Sequence, residues 1–133
     1  MDENAYDFDA NFADARRKLA ELNERARQNT QRASALAEDA NSIVATARSA
    51  RGEVTVRAHV GGRLADLSFG DAADELSLDA LGRLTLETIT RAQREAMTLL
   101  AERGAELFGP ESDIARGMAS DAERSYPDTT PGR

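Results

Sequence analysis

The 133-residue chain has no cysteine and no tryptophan, three prolines and a single histidine. Without cysteine there is no disulfide, no thiolate zinc site and no thiol nucleophile, a composition at home in a reducing compartment. A zinc site or a hydrolytic triad would have to rest on His59 alone, and no G-x-S-x-G motif accompanies it. Gly61-Gly62 is not followed by the Lys-Ser/Thr pair of a phosphate loop. The carboxylates of Asp71, Asp74, Glu75 and Asp79 lack the order of a metal-binding loop. These absences remove the common catalytic designs. The expectation is a protein that is not an enzyme, with no catalytic residues, metal site, cofactor or small-molecule substrate.

Long apolar runs are missing too, and none approaches the ~20 residues that span a bilayer. Met1-Asp2-Glu3-Asn4 is acidic where a secretory signal needs positive charge and then an apolar run, so the expected location is the cytoplasm, away from membranes. Large apolar side chains are scarce: there are four Phe and two Tyr, and much of the 41% hydrophobic content is alanine. A chain of this length forms one domain. A small domain with so thin a core buries a low fraction of its surface, and self-association is one remedy.

What is present is charge, unevenly spread. Basic residues number 17 against 24 acidic, for a net charge of −7, and Lys18 is the only base that is not arginine. The arginine and alanine bias points to a GC-rich bacterial genome. Residues 1–9 carry four acids and no base, whereas residues 14–63 carry ten bases against six acids. Net acidity opposes indiscriminate electrostatic binding to nucleic acid. The basic segment inside the acidic chain is the exception.

That segment also holds the strongest pattern. Phe8, Phe12, Ala15, Leu19, Leu22, Ala26, Asn29, Ala33, Leu36, Ala40, Ile43 and Ala47 alternate in steps of four and three, a heptad seam with Asn29 as its one polar member. Neither Pro nor Gly interrupts residues 7–51. The pattern predicts a helix over about residues 8–50, roughly 60 Å long at 1.5 Å per residue, with a coiled-coil seam. The partner along that seam is either a second copy or the protein's own second helix. Lys18, Arg25 and Arg32 form one row flanking it, Arg16 and Arg17 join the row's start, and Arg27 lies one face round. Such a stripe suits a line of phosphates; a solvated face, or ion pairing with a partner helix, accounts for it equally.

After Gly52 the period changes. Val54, Val56, Ala58 and Val60 alternate with Thr55, Arg57 and His59, and Gly61-Gly62 supplies a tight turn into a return strand placing Ala65, Leu67 and Phe69 on one face. A β-hairpin is predicted. Ser77 is an N-cap candidate, Leu78 to Leu107 reads as a second helix with Arg91 and Arg94 as a weaker basic pair, and Gly109-Pro110 stops it. Residues 111–133 read as a mobile acidic tail with at most one helical turn.

Taken together, Gly52-Glu53-Val54-Thr55-Val56, then Gly62-Arg63-Leu64, the strand to Phe69, the leucines Leu76, Leu78 and Leu81 and the alanine-bearing helix resemble the YbaB/EbfC family of nucleoid-associated proteins. The resemblance covers roughly residues 10–108. It implies an α+β fold, with a long N-terminal helix, an antiparallel hairpin in a small sheet and a C-terminal helix, assembled as a tweezer-shaped homodimer whose hairpins share a sheet. It implies binding of double-stranded DNA with little sequence preference, in the nucleoid. The alternative is a protein–protein interaction module of the same fold, for example one associated with type VII secretion. On the first reading Arg16, Arg17, Lys18, Arg25, Arg27 and Arg32 contact DNA, while Phe12, Leu19, Leu22, Asn29, Val54, Val56, Leu67 and Phe69 build the dimer and core.

Overall fold

The computed structural model describes residues 3–127, with side chains described from Phe8 onward. Its elements are helix α1 (Glu3–Ser42), strands β1 (Val44–Arg48), β2 (Val54–His59) and β3 (Leu64–Phe69), a 3-10 turn (Asp71–Glu75), helix α2 (Leu78–Phe108) and helix α3 (Asp113–Ser125). The chain divides into two units, Met1–Ala35 and Leu36–Arg133. The first is helical throughout its described length. The second holds the end of α1, the sheet, α2 and α3.

The α+β class and the β2–β3 hairpin are as expected, but the sheet has a third strand. It is antiparallel in the order β1-β2-β3, and β1 takes residues that the heptad pattern had assigned to the helix. Helix α1 ends at Ser42, where the Ser42 hydroxyl and the Ile43 amide both donate to the Asp39 carbonyl, at 2.9 and 3.1 Å. Ile43 and Ala47 fit a heptad, yet Ala45, Ala47 and Ser49 also alternate, and these three are the buried ones. Strand β2 offers an open row of backbone groups, and pairing Val44 with His59 through Arg48 with Thr55 satisfies them. Local periodicity allowed both outcomes; the edge of β2 decided between them.

A second correction concerns β3. Phe69 lies opposite Val54 and Leu67 opposite Val56, but the register then slips so that Leu64 faces Ala58. Ala65 is the extra residue of this bulge, so Leu64 replaces it beside Leu67 and Phe69 on the face shared with β2.

Helix α2 packs across β1 and β2, on the face formed by Ala47, Val54, Val56 and Ala58, with Ala92 buried and Leu81, Leu84 and Ile89 around them. Ser77 caps α2 as expected, its hydroxyl accepting from the Ala80 amide at 3.1 Å. Strand β3 lies beyond this cover. Gly61 and Gly62, with φ of 95° and 96°, make the hairpin turn in a backbone region that other residues rarely enter.

The β1–β2 turn is held by a buried polar cluster. The Ser49 hydroxyl donates to Glu53 Oε1 at 2.9 Å and accepts from the Val54 amide at 2.9 Å, while the Arg51 amide donates to the same carboxylate at 2.8 Å. Arg51 reaches on to Glu75 at 2.8 Å, tying this turn to the 3-10 segment.

The third correction lies beyond Gly109. Residues 113–125 form α3, a 13-residue helix packed on α2 rather than a tail with one turn. Ser112 caps it, accepting from the Ala115 amide at 3.2 Å, and Ala115 and Ala122 are buried. Gly104 admits Met118 so closely that any side chain there would collide with it. Ala115 and Ala122, seven residues apart on α3, and Gly104 on α2 carried this signal, and low overall hydrophobicity hid it. The tail reading for residues 128–133 falls outside the described residues.

Two outcomes are expected. The Glu53 carboxyl sits below its ordinary value of 4.5, chiefly through its own backbone amide and then the Ser49 hydroxyl and the Arg51 amide and charge, against desolvation that pushes it up. A depressed folded pKa contributes stability above the unfolded value and loses it as pH falls through the folded one. Glu53→Gln is therefore less stable than the parent at neutral pH, with a gap that narrows below about pH 4.5 in urea titrations. Gly104→Leu speeds amide exchange across residues 113–125 while β2 stays protected; equal loss at β2 would show that α3 is no separable layer.

Candidate nucleic-acid interface

All six candidate DNA-contacting residues lie on the α1 segment of the first unit. Over residues 14–35 this helix carries six bases against three acids. It has no Gly or Pro over its whole length, so the spacing of its side chains is set by helical geometry alone. Lys18, Arg25 and Arg32 are seven residues apart, hence about 10 Å apart along the axis and nearly in line.

Their electrostatic states differ. Lys18 pairs with Asp14 at 3.3 Å, and Arg17 approaches the same carboxylate at 3.9 Å. Arg27 forks onto Glu24, with Nη2 at 2.8 Å and Nε at 3.2 Å. Arg16 lies over the Phe12 ring, 5.6 Å from its centroid, a cation–π contact that holds the guanidinium beside the apolar seam. Among the described residues Arg25 and Arg32 have no ion pair or hydrogen-bond partner for their side chains. They are the positive charges of this row that make no ion pair among the described residues. The existing pairs are solvent-exposed, so each contributes about 0–1 kcal/mol and exchanges readily for a phosphate.

Beside the row runs the seam. Phe8 and Phe12 stack with centroids 6.1 Å apart, and Phe8, Phe12, Leu19 and Leu22 are 67%, 54%, 58% and 58% exposed in the single chain. Asn29 is exposed with them. In the second unit Val54 and Val56 are fully buried, whereas Leu67 and Phe69 share their face of the sheet and remain 39% and 54% exposed. The eight residues assigned to dimer and core thus divide: two close the core of the single chain, and six lie open.

The weaker basic pair on α2 is engaged locally. Arg91 donates to the Arg48 carbonyl at 3.4 Å, and Arg94 lines a 420 Å³ cleft between α2 and α3 with Glu102, Arg116 and Glu123. The sequence reading missed the outer face of the sheet. There Arg48 and Arg57 are exposed alongside Thr46 and Ser68, on the side opposite α2. Only recognition of β1 would have brought Arg48 next to the β2 row. Among the described residues no group of three or more His, Cys, Asp or Glu is placed to hold a metal ion. No helix among them is long and apolar enough to cross a membrane.

No curated protein and no solved structure gives a significant match to the chain. A sequence profile of the YbaB/EbfC DNA-binding family does match, over residues 13–110, from the start of the basic row through the end of α2. That span is well over half of the 133 residues and leaves only α3 and the chain ends outside. The chain belongs to the YbaB/EbfC DNA-binding family.

Proposed function

We propose that the protein is a nucleoid-associated homodimer that holds double-stranded DNA through phosphate contacts, with little preference for sequence and no catalytic role. The observation that carries this reading is the in-line row of Lys18, Arg25 and Arg32 on α1, with Arg25 and Arg32 unpaired among the described residues, in a chain of a DNA-binding family. Arg16, Arg17 and Arg27 flank the row and add phosphate contacts. Base readout needs Arg, Asn or Gln delivered into a groove with phosphate contacts fixing the register, and nothing in the row is so specialised. The chemistry is that of the DNA backbone, so no cofactor or small substrate is involved, and the site of action is the nucleoid in the cytoplasm.

Dimerisation is supported by the apolar surface each chain leaves open. Leu67 and Phe69 on the edge strand β3 continue the sheet face that α2 covers elsewhere. Leu78 and Leu86 on α2 are exposed as well. An uncovered edge strand with apolar side chains is a template for pairing with another chain.

A second reading has its own observation. The exposed seam of Phe8, Phe12, Leu19 and Leu22 and the net charge of −7 fit a module that binds another protein through α1.

The deciding measurement is fluorescence anisotropy of a labelled random-sequence duplex titrated at several salt concentrations. The DNA reading expects affinity that falls steeply with salt and is indifferent to duplex sequence. Replacing Lys18, Arg25 and Arg32 together by Ala is expected to make the slope of log K against log salt shallower by roughly 3, with the helical circular dichroism unchanged. Absence of binding by the parent protein at low salt overturns the reading and leaves the protein-binding module.

A further inference from the structure

The α1 seam has a defined occupant: we infer that it pairs in parallel and in register with α1 of a second copy, and that the pair forms a composite cationic stripe. This deepens the DNA reading of the same row and rests on it for the stripe's role, though not for the pairing. In heptad terms Phe12, Leu19, Ala26 and Ala33 occupy position a, and Ala15, Leu22 and Asn29 position d. Lys18, Arg25 and Arg32 then fall at g, with Arg16, Asn23 and Thr30 at e.

Charge separates the two possible directions. In an antiparallel pair the g rows face each other, setting Lys18 against Arg32 and Arg25 against a second Arg25. Like charges so placed are destabilising, and among the described residues Arg25 and Arg32 have no acid to relieve them. In a parallel pair each g residue meets an e residue of the other chain one heptad on. Lys18 then lies beside Asn23 and Arg25 beside Thr30, with no opposed charges.

Asn29 decides the register. Its side-chain amide makes no hydrogen bond among the described residues, and a polar group closed into a seam requires a partner. An in-register parallel pair supplies Asn29 of the second copy. The antiparallel alignment that opposes Ala33 to Ala15 puts Leu19 on Asn29 instead, leaving the amide unmet. Charge and hydrogen bonding, read from different residues, select the same arrangement.

The arrangement changes the binding site. On each side of the pair, Lys18, Arg25 and Arg32 of one chain run beside the e row of the other, where Arg16 of the second copy adds a fourth cation. Arg16 already sits at the edge of the seam over Phe12, so pairing leaves its charge at the flank. Each stripe therefore draws on both chains, with three cations from one and the fourth from the other.

The absence of native cysteine gives a clean test. Ala15→Cys and Ala33→Cys are prepared as full-length single variants and oxidised at low concentration, alone and mixed. Parallel pairing yields a covalent homodimer from each variant alone. Crosslinks that form only in the mixture would establish the antiparallel pair and overturn the inference. No crosslink above that of Asp14→Cys, on the outer face of α1, would overturn it too and assign the seam to another protein. The stripe is tested with Leu19→Ser/Leu22→Ser, which removes no charge. Its salt slope for duplex binding is expected to fall by roughly a quarter, because one of the stripe's four cations, Arg16, comes from the second chain. An unchanged slope removes the composite stripe. Failure of the parent to bind DNA while both single-variant crosslinks form removes the DNA reading and keeps the pair.

Discussion

The interface between α2 and the sheet is built from small side chains, and most other features depend on this. The largest fully buried side chains are Val54, Val56 and Thr88, and around them the core is alanine. Thr88 is accommodated because its hydroxyl donates to the Leu84 carbonyl at 2.7 Å. Small residues let helix and sheet approach closely, but at about 25 cal/mol per Å² of apolar surface they gain little from burial. Leu81, Leu84 and Ile89 pack around this core, but many large apolar residues lie outside it: Phe8, Phe12, Leu19, Leu22, Leu67, Phe69, Leu78 and Leu86 are all exposed. A chain that leaves three of its four phenylalanines open has further hydrophobic free energy to gain, and association is where it can be gained.

Polar contacts hold what the thin core does not. The Ser49–Glu53 cluster fixes the turn between β1 and β2, and the Arg51–Glu75 pair carries that turn to the 3-10 segment. At the opposite end of the strands Gln93 donates to the Gly62 carbonyl at 2.9 Å, so α2 grips the hairpin turn as well as the sheet face. Arg103 ties α2 to the end of α1 through Asp39, and that contact, reinforced by Glu106, raises the guanidinium's pKa further. None of these groups belongs to the basic row of α1.

The parts of the fold legible in the sequence are those where local pattern and tertiary context agree. The V-x-V strand, the Gly-Gly turn, the Ser77 cap and the Gly109 stop each have a single physical reading, and the structure has them in place. Strand β1 was hidden because Ile43 and Ala47 satisfy two periods at once, and no glycine or proline marks Ser42 as an end. Helix α3 was hidden for a different reason: its contact with α2 depends on Gly104 and on alanines, which carry almost no hydrophobic signal. The bulge at Ala65 depends on pairing with β2, a property of two strands that neither one displays. Within the candidate site the residue positions were legible from helical spacing. Which cations are already paired was not, because Asp14 and Glu24 could have turned to either side of their helix.

A net charge of −7 and a DNA-binding family look opposed, but they concern different length scales. At physiological ionic strength charges farther apart than about 8 Å are largely screened, so on the proposed reading a phosphate held on α1 would respond to that helix more than to the whole chain's total. Over residues 14–35 the helix is basic, with six bases to three acids. Two of the acids, Asp14 and Glu24, are turned onto Lys18 and Arg27 in exposed pairs too weak to hold them against a phosphate. Acidity elsewhere still has a physical effect, since it discourages loose association with nucleic acid through any surface other than the row. On the proposed reading, negative charge distributed this way restricts where DNA would be held without preventing its being held.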